Sequence, residues 1–170
     1  MKTFDVAVIG SGPAGASAAL KLAESNLSVV IIEKDTLPRY KTCGGGFAFR
    51  GRREMPFDIS SVVEREFYKI DVFFDKIGEH FTPERKDPII SMVMRDEFDN
   101  LLVEKAKEAG AELLENHKLK DITFNETTVL HTSQGDVSTK SIIAADGALS
   151  PTAKLAGWKE TRYLIPALEY

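Results

Sequence analysis

A glycine-rich turn close to the N-terminus limits how this chain can fold more than any other feature. Gly10, Gly12 and Gly15 have the spacing G-x-G-x-x-G. They follow an apolar, β-branched run over residues 4–9, and residues 14–24 after them are rich in helix formers. This order predicts a buried strand, a tight turn and a helix, which together begin a βαβ unit with a parallel sheet.

A second predicted strand ends at an acidic residue. Residues 28–33 form another buried apolar run, and Glu33 follows Gly15 at close to the spacing of roughly 20 residues expected of dinucleotide-binding folds. In such folds the first glycine makes the tight turn, the second lets the backbone approach a pyrophosphate, and the third lets the helix pack against the strands. The helix N-terminus then presents its N–H groups and its positive dipole end to the anion.

The acidic residue also selects among nucleotides. Glu33 would accept hydrogen bonds from both ribose hydroxyls of an adenosine, which disfavours a 2′-phosphate, so FAD or NAD fits better than NADP. A glycine turn that binds no nucleotide is the alternative. The cofactor-binding residues predicted for this unit are Gly10, Gly12, Pro13, Ala14, Gly15, Glu33 and Lys34.

The middle of the chain is less regular. Residues 36–51 contain a proline, several basic residues and three consecutive glycines, and are predicted to form a long loop with a short helix near its end. Residues 62–74 begin with a helix-like pattern, and residues 68–74 then have the pattern of a strand. The next predicted elements, a strand and the clearest amphipathic helix with its terminating glycine, are 89–94, 97–109 and Gly110.

The remaining predicted elements are mostly short strands. They are near 112–115, 118–124, 127–133 and 141–145, with a turn at Gln134 and Gly135 and an extended apolar segment at 166–170. The whole order predicts an α/β fold, a Rossmann-type FAD/NAD(P)-binding parallel sheet with an additional β-rich, antiparallel segment. We expect one domain over residues 1–170, with its core at about 1–50 and 90–160 and an inserted region at about 51–90.

Composition and charge argue against several other classes of protein. The chain has 22 Lys and Arg against 26 Asp and Glu, a net charge of −4, and so no basic excess for binding nucleic acid. Its single cysteine excludes an intrachain disulfide framework and a multi-cysteine zinc site, and we expect no metal. No run approaches the roughly 18–20 apolar residues of a membrane-spanning helix, and we expect a cytoplasmic protein of undetermined oligomeric state.

A second motif lies at the last predicted strand. Residues 141–147 read Ser-Ile-Ile-Ala-Ala-Asp-Gly. They resemble the Asp-Gly motif of glutathione-reductase-type flavoproteins, although Ala144 stands where that family usually has glycine. The resemblance implies that Asp146 and Gly147 help to close the nucleotide site. An ordinary turn at a strand end is the alternative, since Asp-Gly is a common turn pair.

A third segment resembles the same flavoproteins. Arg95 stands just before the clearest helix, within an Arg-x-x-Phe-Asp-x-x-Leu pattern. The resemblance implies that this arginine contacts the phosphates or the ribityl chain of the cofactor, for which a guanidinium fork is well suited. It also implies a backbone contact with adenine near Leu119. The alternative for Arg95 is a solvated side chain before a helix that Asp96 caps.

The loop after the second predicted strand is the most discriminating stretch. Lys41, Cys43 and the three glycines that follow form the pattern Lys-x-Cys-Gly-Gly-Gly. The pattern is similar to that of the geranylgeranyl reductases, flavoproteins that saturate carbon–carbon double bonds in prenyl chains, and the resemblance covers essentially the whole chain as their N-terminal part. Three glycines can place backbone N–H groups close to a flat ring. The resemblance therefore implies cofactor contacts at Cys43, Gly44 and Gly45.

Cys43 is the candidate catalytic residue. Positive charge at Arg39 and Lys41, four and two residues before it, would favour the thiolate. By resemblance, Cys43 would lie near the flavin and the substrate double bond, with a role in protonation or in positioning the substrate. The alternative is a buried, small apolar residue beside a glycine hinge.

Three functions follow from these motifs. The first is an FAD-dependent reductase of a prenyl-chain small molecule or lipid, with hydride from reduced flavin, NAD(P)H as a candidate electron donor and loose membrane association. The second is a flavin-dependent monooxygenase or halogenase. The third is a nucleotide-binding fragment without turnover. Because the geranylgeranyl reductases are much longer, we expect their C-terminal substrate-binding part to be absent from this chain.

Overall fold

The computed structural model describes residues 2–159, and the predicted extended segment at 166–170 lies outside them. The described chain forms two compact units, one of residues 2–39 and 99–159 and the other of residues 40–98. The domain boundaries expected from the sequence stay a prediction.

Eleven strands and four helices are present among the described residues. The strands are β1 (Thr3–Ile9), β2 (Val29–Ile32), β3 (Gly46–Ala48), β4 (Val63–Phe67), β5 (Val72–Phe74), β6 (Glu79–Phe81), β7 (Ile90–Val93), β8 (Glu112–Leu114), β9 (Leu119–Thr123), β10 (Thr128–Thr132) and β11 (Gly135–Ala144). The helices are α1 (Pro13–Glu24), α2 (Phe49–Arg53), α3 (Arg95–Glu108) and α4 (Pro151–Leu155), and a single 3-10 turn covers Ser60–Val62.

The first unit is built on a six-stranded sheet in the order β8-β2-β1-β11-β10-β9. The four strands β8, β2, β1 and β11 are parallel, and β10 and β9 continue the sheet antiparallel. The central strands are buried on both faces, with Val8, Val30 and Ile31 fully inaccessible, as expected of parallel strands. The predicted Rossmann-type sheet with an antiparallel addition is confirmed.

Two of the predicted helices are also confirmed, together with their C-terminal ends, although α3 begins at Arg95, two residues before its predicted start. Helix α1 begins with a proline, whose missing N–H costs nothing at that position. Asn26, just beyond its end, has φ of +61°. After α3, Gly110 has φ of +107°, and the N–H of Ala111 donates back to Ala106 O at 3.0 Å. Both helices therefore end in left-handed residues of the kind that favour Gly and Asn.

The second unit contains a three-stranded antiparallel sheet, β3-β7-β4, and a two-stranded ribbon, β5-β6. The predicted loop at 36–51 is partly wrong, since β3 lies within it, but its predicted short helix is confirmed as the start of α2. The helix-like start predicted at Val62 is wrong: Glu64, Arg65 and Glu66 favour helix by propensity, yet β4 pairs with β7. Pairing outweighs weak intrinsic propensity here.

Three further strand predictions need correction. The strand predicted at 68–74 is limited to β5, and β6 was not predicted. The last strand starts at Gly135 rather than at 141. Its length follows from two partners, because Gly135–Thr139 pair with β10 and Ser138–Ala144 pair with β1. The first half of β11, Gly-Asp-Val-Ser-Thr-Lys, is mostly polar and so lacks the apolar run expected of a buried strand.

Candidate functional site

Two of the three glycines of the first turn are required by backbone contacts. Gly10 has φ of +100°, and a Cβ there would lie 2.6 Å from Ala145 O. A Cβ on Gly15 would lie 1.9 Å from Gly10 O, so only glycine lets α1 approach the end of β1 this closely. No L-residue with a side chain fits either position without moving the backbone.

Gly12 differs from its two neighbours in the motif. Its φ of −66° is available to any residue, and the nearest heavy atom to a Cβ there would be Arg39 Nη2 at 3.8 Å. Gly12 is also the N-cap of α1, and its carbonyl accepts the N–H of Ala16 at 2.9 Å. The N–H groups of the first helical turn precede this bond and have no intrahelical acceptor. This cradle fits the diphosphate of a nucleotide.

Glu33 is held next to the turn by a hydrogen-bond network. Its side chain is 4% exposed, and Oε2 accepts the N–H of Ser11 at 3.0 Å and the Ser11 hydroxyl at 2.5 Å. Oε1 accepts the N–H of Asp35 at 3.0 Å. Burial by itself raises the pKa of Glu33, but these hydrogen bonds and the Arg39 charge outweigh it and hold the pKa below its ordinary value. The carboxylate is therefore ionised and oriented at neutral pH.

Arg39 completes this cluster, although the sequence indicated it only as a positive charge near Cys43. Its Nε lies 3.6 Å from Glu33 Oε2 and its Nη2 lies 3.4 Å from Asp99 Oδ2. Asp99 is fully buried, and the Arg39 side chain is 14% exposed. The two residues are far apart in the chain, so no local motif could have joined them. Arg39 and Asp99 had one feature in common in the sequence: each lies in a segment that resembles a cofactor-binding segment of flavoproteins.

The remaining predicted residues of the first unit lie in different surroundings. Lys34 is exposed, and its Nζ lies 3.8 Å from Asp35 Oδ2. Leu119 begins β9 and packs its side chain into the core. It follows His117, whose N–H donates to Glu33 O at 2.8 Å, so this backbone passes close to the end of β2. An adenine contact near Leu119 stays a prediction.

Asp146 accepts hydrogen bonds from residues at the start of α4. Its carboxylate accepts the Ser150 hydroxyl at 2.5 Å and both the N–H and the hydroxyl of Thr152, at 2.8 and 2.7 Å. Burial raises the pKa of Asp146, but these hydrogen bonds outweigh it and lower the pKa overall. Gly147 follows with φ of +91°. A cofactor contact through either residue stays a prediction.

In the second unit, a cavity of about 320 Å³ is lined by several of the predicted residues. Cys43, Gly44 and Arg95 contribute to its wall, together with Lys41 and Glu64. Cys43 is exposed, so the alternative of a buried apolar residue is wrong. The structure therefore gathers the candidate thiol and two candidate cofactor contacts around one cavity.

Gly45 shapes the loop beside this cavity. It has φ of +71°, and a Cβ there would lie 2.3 Å from Val93 O. Its carbonyl accepts the N–H of Val93 at 3.0 Å, and its own N–H donates to Cys43 Sγ at 3.5 Å. The close approach to β7 requires glycine at this position and fixes the backbone next to Cys43.

No helix within residues 2–159 is both long and apolar enough to cross a membrane. No group of three or more His, Cys, Asp and Glu side chains in the same range could hold a metal ion.

Comparison with known proteins gives the class. Residues 4–163 match the pyridine nucleotide-disulphide oxidoreductase family, and the chain belongs to that family of FAD-dependent oxidoreductases. The fold is that of its FAD-binding domain, and the predicted cofactor FAD is confirmed for the family.

Individual relatives show which proteins of this class the chain resembles. The chain is 32% identical to the chloroplastic geranylgeranyl diphosphate reductase of Nicotiana tabacum, over 96% of this chain and 38% of that protein. It resembles the structure of a geranylgeranyl bacteriochlorophyll reductase-like protein from Thermoplasma acidophilum, with a TM-score of 0.82, 24% identity, and 96% of this chain and 44% of that one covered. The predicted resemblance to geranylgeranyl reductases is confirmed.

A halogenase shares the fold as well. The structure of halogenase PltM in complex with phloroglucinol and FAD matches with a TM-score of 0.69 and 22% identity, over 91% of this chain and 36% of that one. The chain spans about two fifths of the length of the curated relatives it matches.

Proposed function

We propose that the first unit binds the adenosine diphosphate half of FAD. The single observation that carries this proposal is the position of Gly12, at the N-terminus of α1 and next to the Ser11 that donates to the buried Glu33, where a Cβ would make only an ordinary contact with Arg39 Nη2 at 3.8 Å. The N–H groups of the first turn of α1 would bind the diphosphate, and Glu33 would accept the hydroxyls of the ribose. Neither contact requires a change in the hydrogen bonds that Ser11 donates.

We further propose that the whole protein reduces carbon–carbon double bonds of a prenyl chain. The Lys-x-Cys-Gly-Gly-Gly loop and the likeness to the Nicotiana tabacum reductase support this reaction. Bound FAD supplies hydride chemistry. The residues of this chain would bind and orient the nucleotide, and Cys43, exposed at a cavity of the second unit, is the candidate for protonating or positioning the substrate.

A thermal-shift titration of the 170-residue chain tests the binding proposal. FAD and ADP should both raise the melting temperature, because a ligand that binds only the folded state stabilises it. Adenosine 2′,5′-bisphosphate should give a much smaller shift, because Glu33 would oppose its 2′-phosphate. Equal stabilisation by ADP and by the 2′-phosphate compound would contradict the assigned role of Glu33.

A reduction assay tests the reaction. The whole protein is loaded with FAD, reduced with dithionite and incubated with geranylgeranyl diphosphate. The product is then analysed by mass spectrometry. The expected product gains two hydrogens for each double bond reduced. Cys43→Ser should bind FAD as the parent protein does and reduce the substrate more slowly. Reduction at the parent rate would remove Cys43 from the mechanism.

A halogenase is the second candidate, favoured by the shared fold of PltM. The same FAD-loaded protein would then consume oxygen and incorporate bromide into an aromatic substrate, without reducing geranylgeranyl diphosphate. The Cys-Gly-Gly-Gly loop supports the reductase over this alternative.

A further inference from the structure

We infer that Arg39 is a direct contact for the nucleotide diphosphate and that Asp99 is a positioning residue that holds the Arg39 guanidinium over the glycine turn. This inference rests on the proposed binding of FAD by the first unit. It adds to that proposal a cation, which the G-x-G-x-x-G motif does not itself contain.

Location is the first argument. Arg39 Nη2 is the nearest heavy atom to the space a Gly12 side chain would fill, at 3.8 Å. That space lies at the N-terminus of α1, where backbone N–H groups favour an anion. Arg39 is the only arginine in residues 2–39 and 99–159. Within this unit, it is therefore the one guanidinium that can add charge-assisted hydrogen bonds to those of the backbone.

The charges around Arg39 are the second argument. Asp99 is fully buried and Glu33 nearly so, and an ionised buried carboxylate needs a compensating charge. Arg39 lies 3.6 Å from Glu33 and 3.4 Å from Asp99. Both distances exceed the 2.7–3.2 Å typical of a direct N–H···O bond. The two carboxylates thus set the place of the guanidinium by charge and leave its donor fork able to turn toward a third anion.

Glu33 and Asp99 have different roles around Arg39. Glu33 also accepts hydrogen bonds from Ser11 and Asp35, which orient it toward the ribose position. Asp99 is on α3, and its contact with Arg39 ties the guanidinium to that helix. Asp99 therefore acts on the nucleotide through Arg39.

Isothermal titration of the 170-residue chain with FAD, ADP and adenosine tests this inference. Arg39→Gln should weaken FAD and ADP by about tenfold to a hundredfold, the range for a lost hydrogen bond to a charged group. Adenosine, which has no diphosphate, should bind it as it binds the parent chain. Arg39→Lys should be intermediate, because it keeps the charge but not the fork. The matched control is Arg53→Gln, at an exposed arginine of the second unit.

Asp99 is tested through a double-mutant cycle. Asp99→Asn should weaken ADP less than Arg39→Gln does, and the double variant should bind ADP as Arg39→Gln does, because Asp99 acts on the nucleotide through Arg39. The double variant removes both charges of a buried pair, so it also carries the test if Arg39→Gln alone fails to fold. Additive losses of affinity would overturn the role of Asp99.

The failures are distinguishable. If the parent chain binds neither FAD nor ADP, the proposed function fails and this inference with it. If the parent chain binds both and Arg39→Gln binds them equally well, or loses adenosine to the same extent as ADP, then only the inference about Arg39 is overturned. A lower melting temperature with unchanged ADP affinity would make Arg39 a structural ion pair and would also overturn it.

Discussion

The molecule contains two glycine-rich loops, and comparing them separates glycines the fold requires from glycines a ligand requires. In the turn of the first unit, Gly10 and Gly15 are fixed by backbone contacts at 2.6 and 1.9 Å, whereas a Cβ on Gly12 would make an ordinary contact with Arg39 Nη2 at 3.8 Å. In the loop of the second unit, Gly45 is fixed by Val93 O at 2.3 Å, whereas a Cβ on Gly46 would make an ordinary contact with Ile90 at 3.6 Å.

The comparison teaches that a glycine pattern has two kinds of member. Fixed glycines report on how closely two backbone segments approach, and their replacement should damage stability. An open glycine such as Gly12, where a Cβ would make only an ordinary contact, contributes little to stability. We therefore expect its importance to lie in letting a ligand approach the backbone. The predictions below test this distinction in order of expected effect.

Gly15→Ala should have the largest effect. The new methyl group would lie 1.9 Å from Gly10 O, and this carbonyl belongs to the backbone rather than to a movable side chain. We expect a loss of about 3 kcal/mol or more in the free energy of unfolding. Urea denaturation followed by far-ultraviolet circular dichroism measures it. A variant as stable as the parent chain would show that α1 does not pack this closely on β1.

Gly45→Ala should have the next largest effect. We expect it to lose about 2 kcal/mol, from a positive φ and the contact with Val93 O together. Two controls separate these causes. Gly78 has φ of +65° with open space around it, so Gly78→Ala should lose only about 1 kcal/mol. Gly46→Ala should change stability by less than about 0.5 kcal/mol. Equal losses at Gly45 and Gly46 would break the comparison between fixed and open glycines.

A smaller effect is expected from the acid dependence of Glu33. Its folded pKa is lowered relative to an unfolded value of about 4.3. The stability it contributes is therefore complete above that value and is lost as the pH falls through the folded pKa. Glu33→Gln cannot ionise. We expect its free energy of unfolding to be about 1 kcal/mol below that of the parent chain at pH 7, and we expect this difference to shrink in acid.

Ser11→Ala gives a graded version of the same test. It removes the hydroxyl that donates to Glu33 Oε2 and should raise the pKa of Glu33 toward its ordinary value. Its acid loss of stability should begin at the same unfolded pKa, but should be smaller than in the parent chain and complete at a higher pH. Melting temperatures measured from pH 3 to pH 7 would contradict the account if all three chains followed parallel curves.

The first unit could be predicted from sequence further than the second. Strands β1 and β2 are apolar runs. The glycine turn and the amphipathic helix α1 lie between them, so each element of this part of the chain could be identified from its own pattern. In the second unit, β4 reads Val-Glu-Arg-Glu-Phe, and its strand form depends on β7 and on the Arg52–Glu66 ion pair, which joins distant parts of the sequence. Local propensity contains none of that information.

The candidate site shows the same limit. The glycines and Glu33 could be named because each acts at a fixed distance along the chain from a strand end. Arg39 and Asp99 could not be paired, because α3 returns to the first unit only after the whole of the second unit. Spacing predicts contacts within one motif, and contacts between motifs come from the fold.

The most direct test of the central claim is an isothermal titration of ADP into the parent chain and into Gly12→Val. The account predicts that the parent chain binds one ADP and that Gly12→Val, which should fold but melt slightly lower because valine is a poor N-cap residue, loses at least about tenfold in affinity, because valine fills the space beside the helix N-terminus. Equal affinity for ADP in the two chains, or no binding by the parent chain, would contradict it.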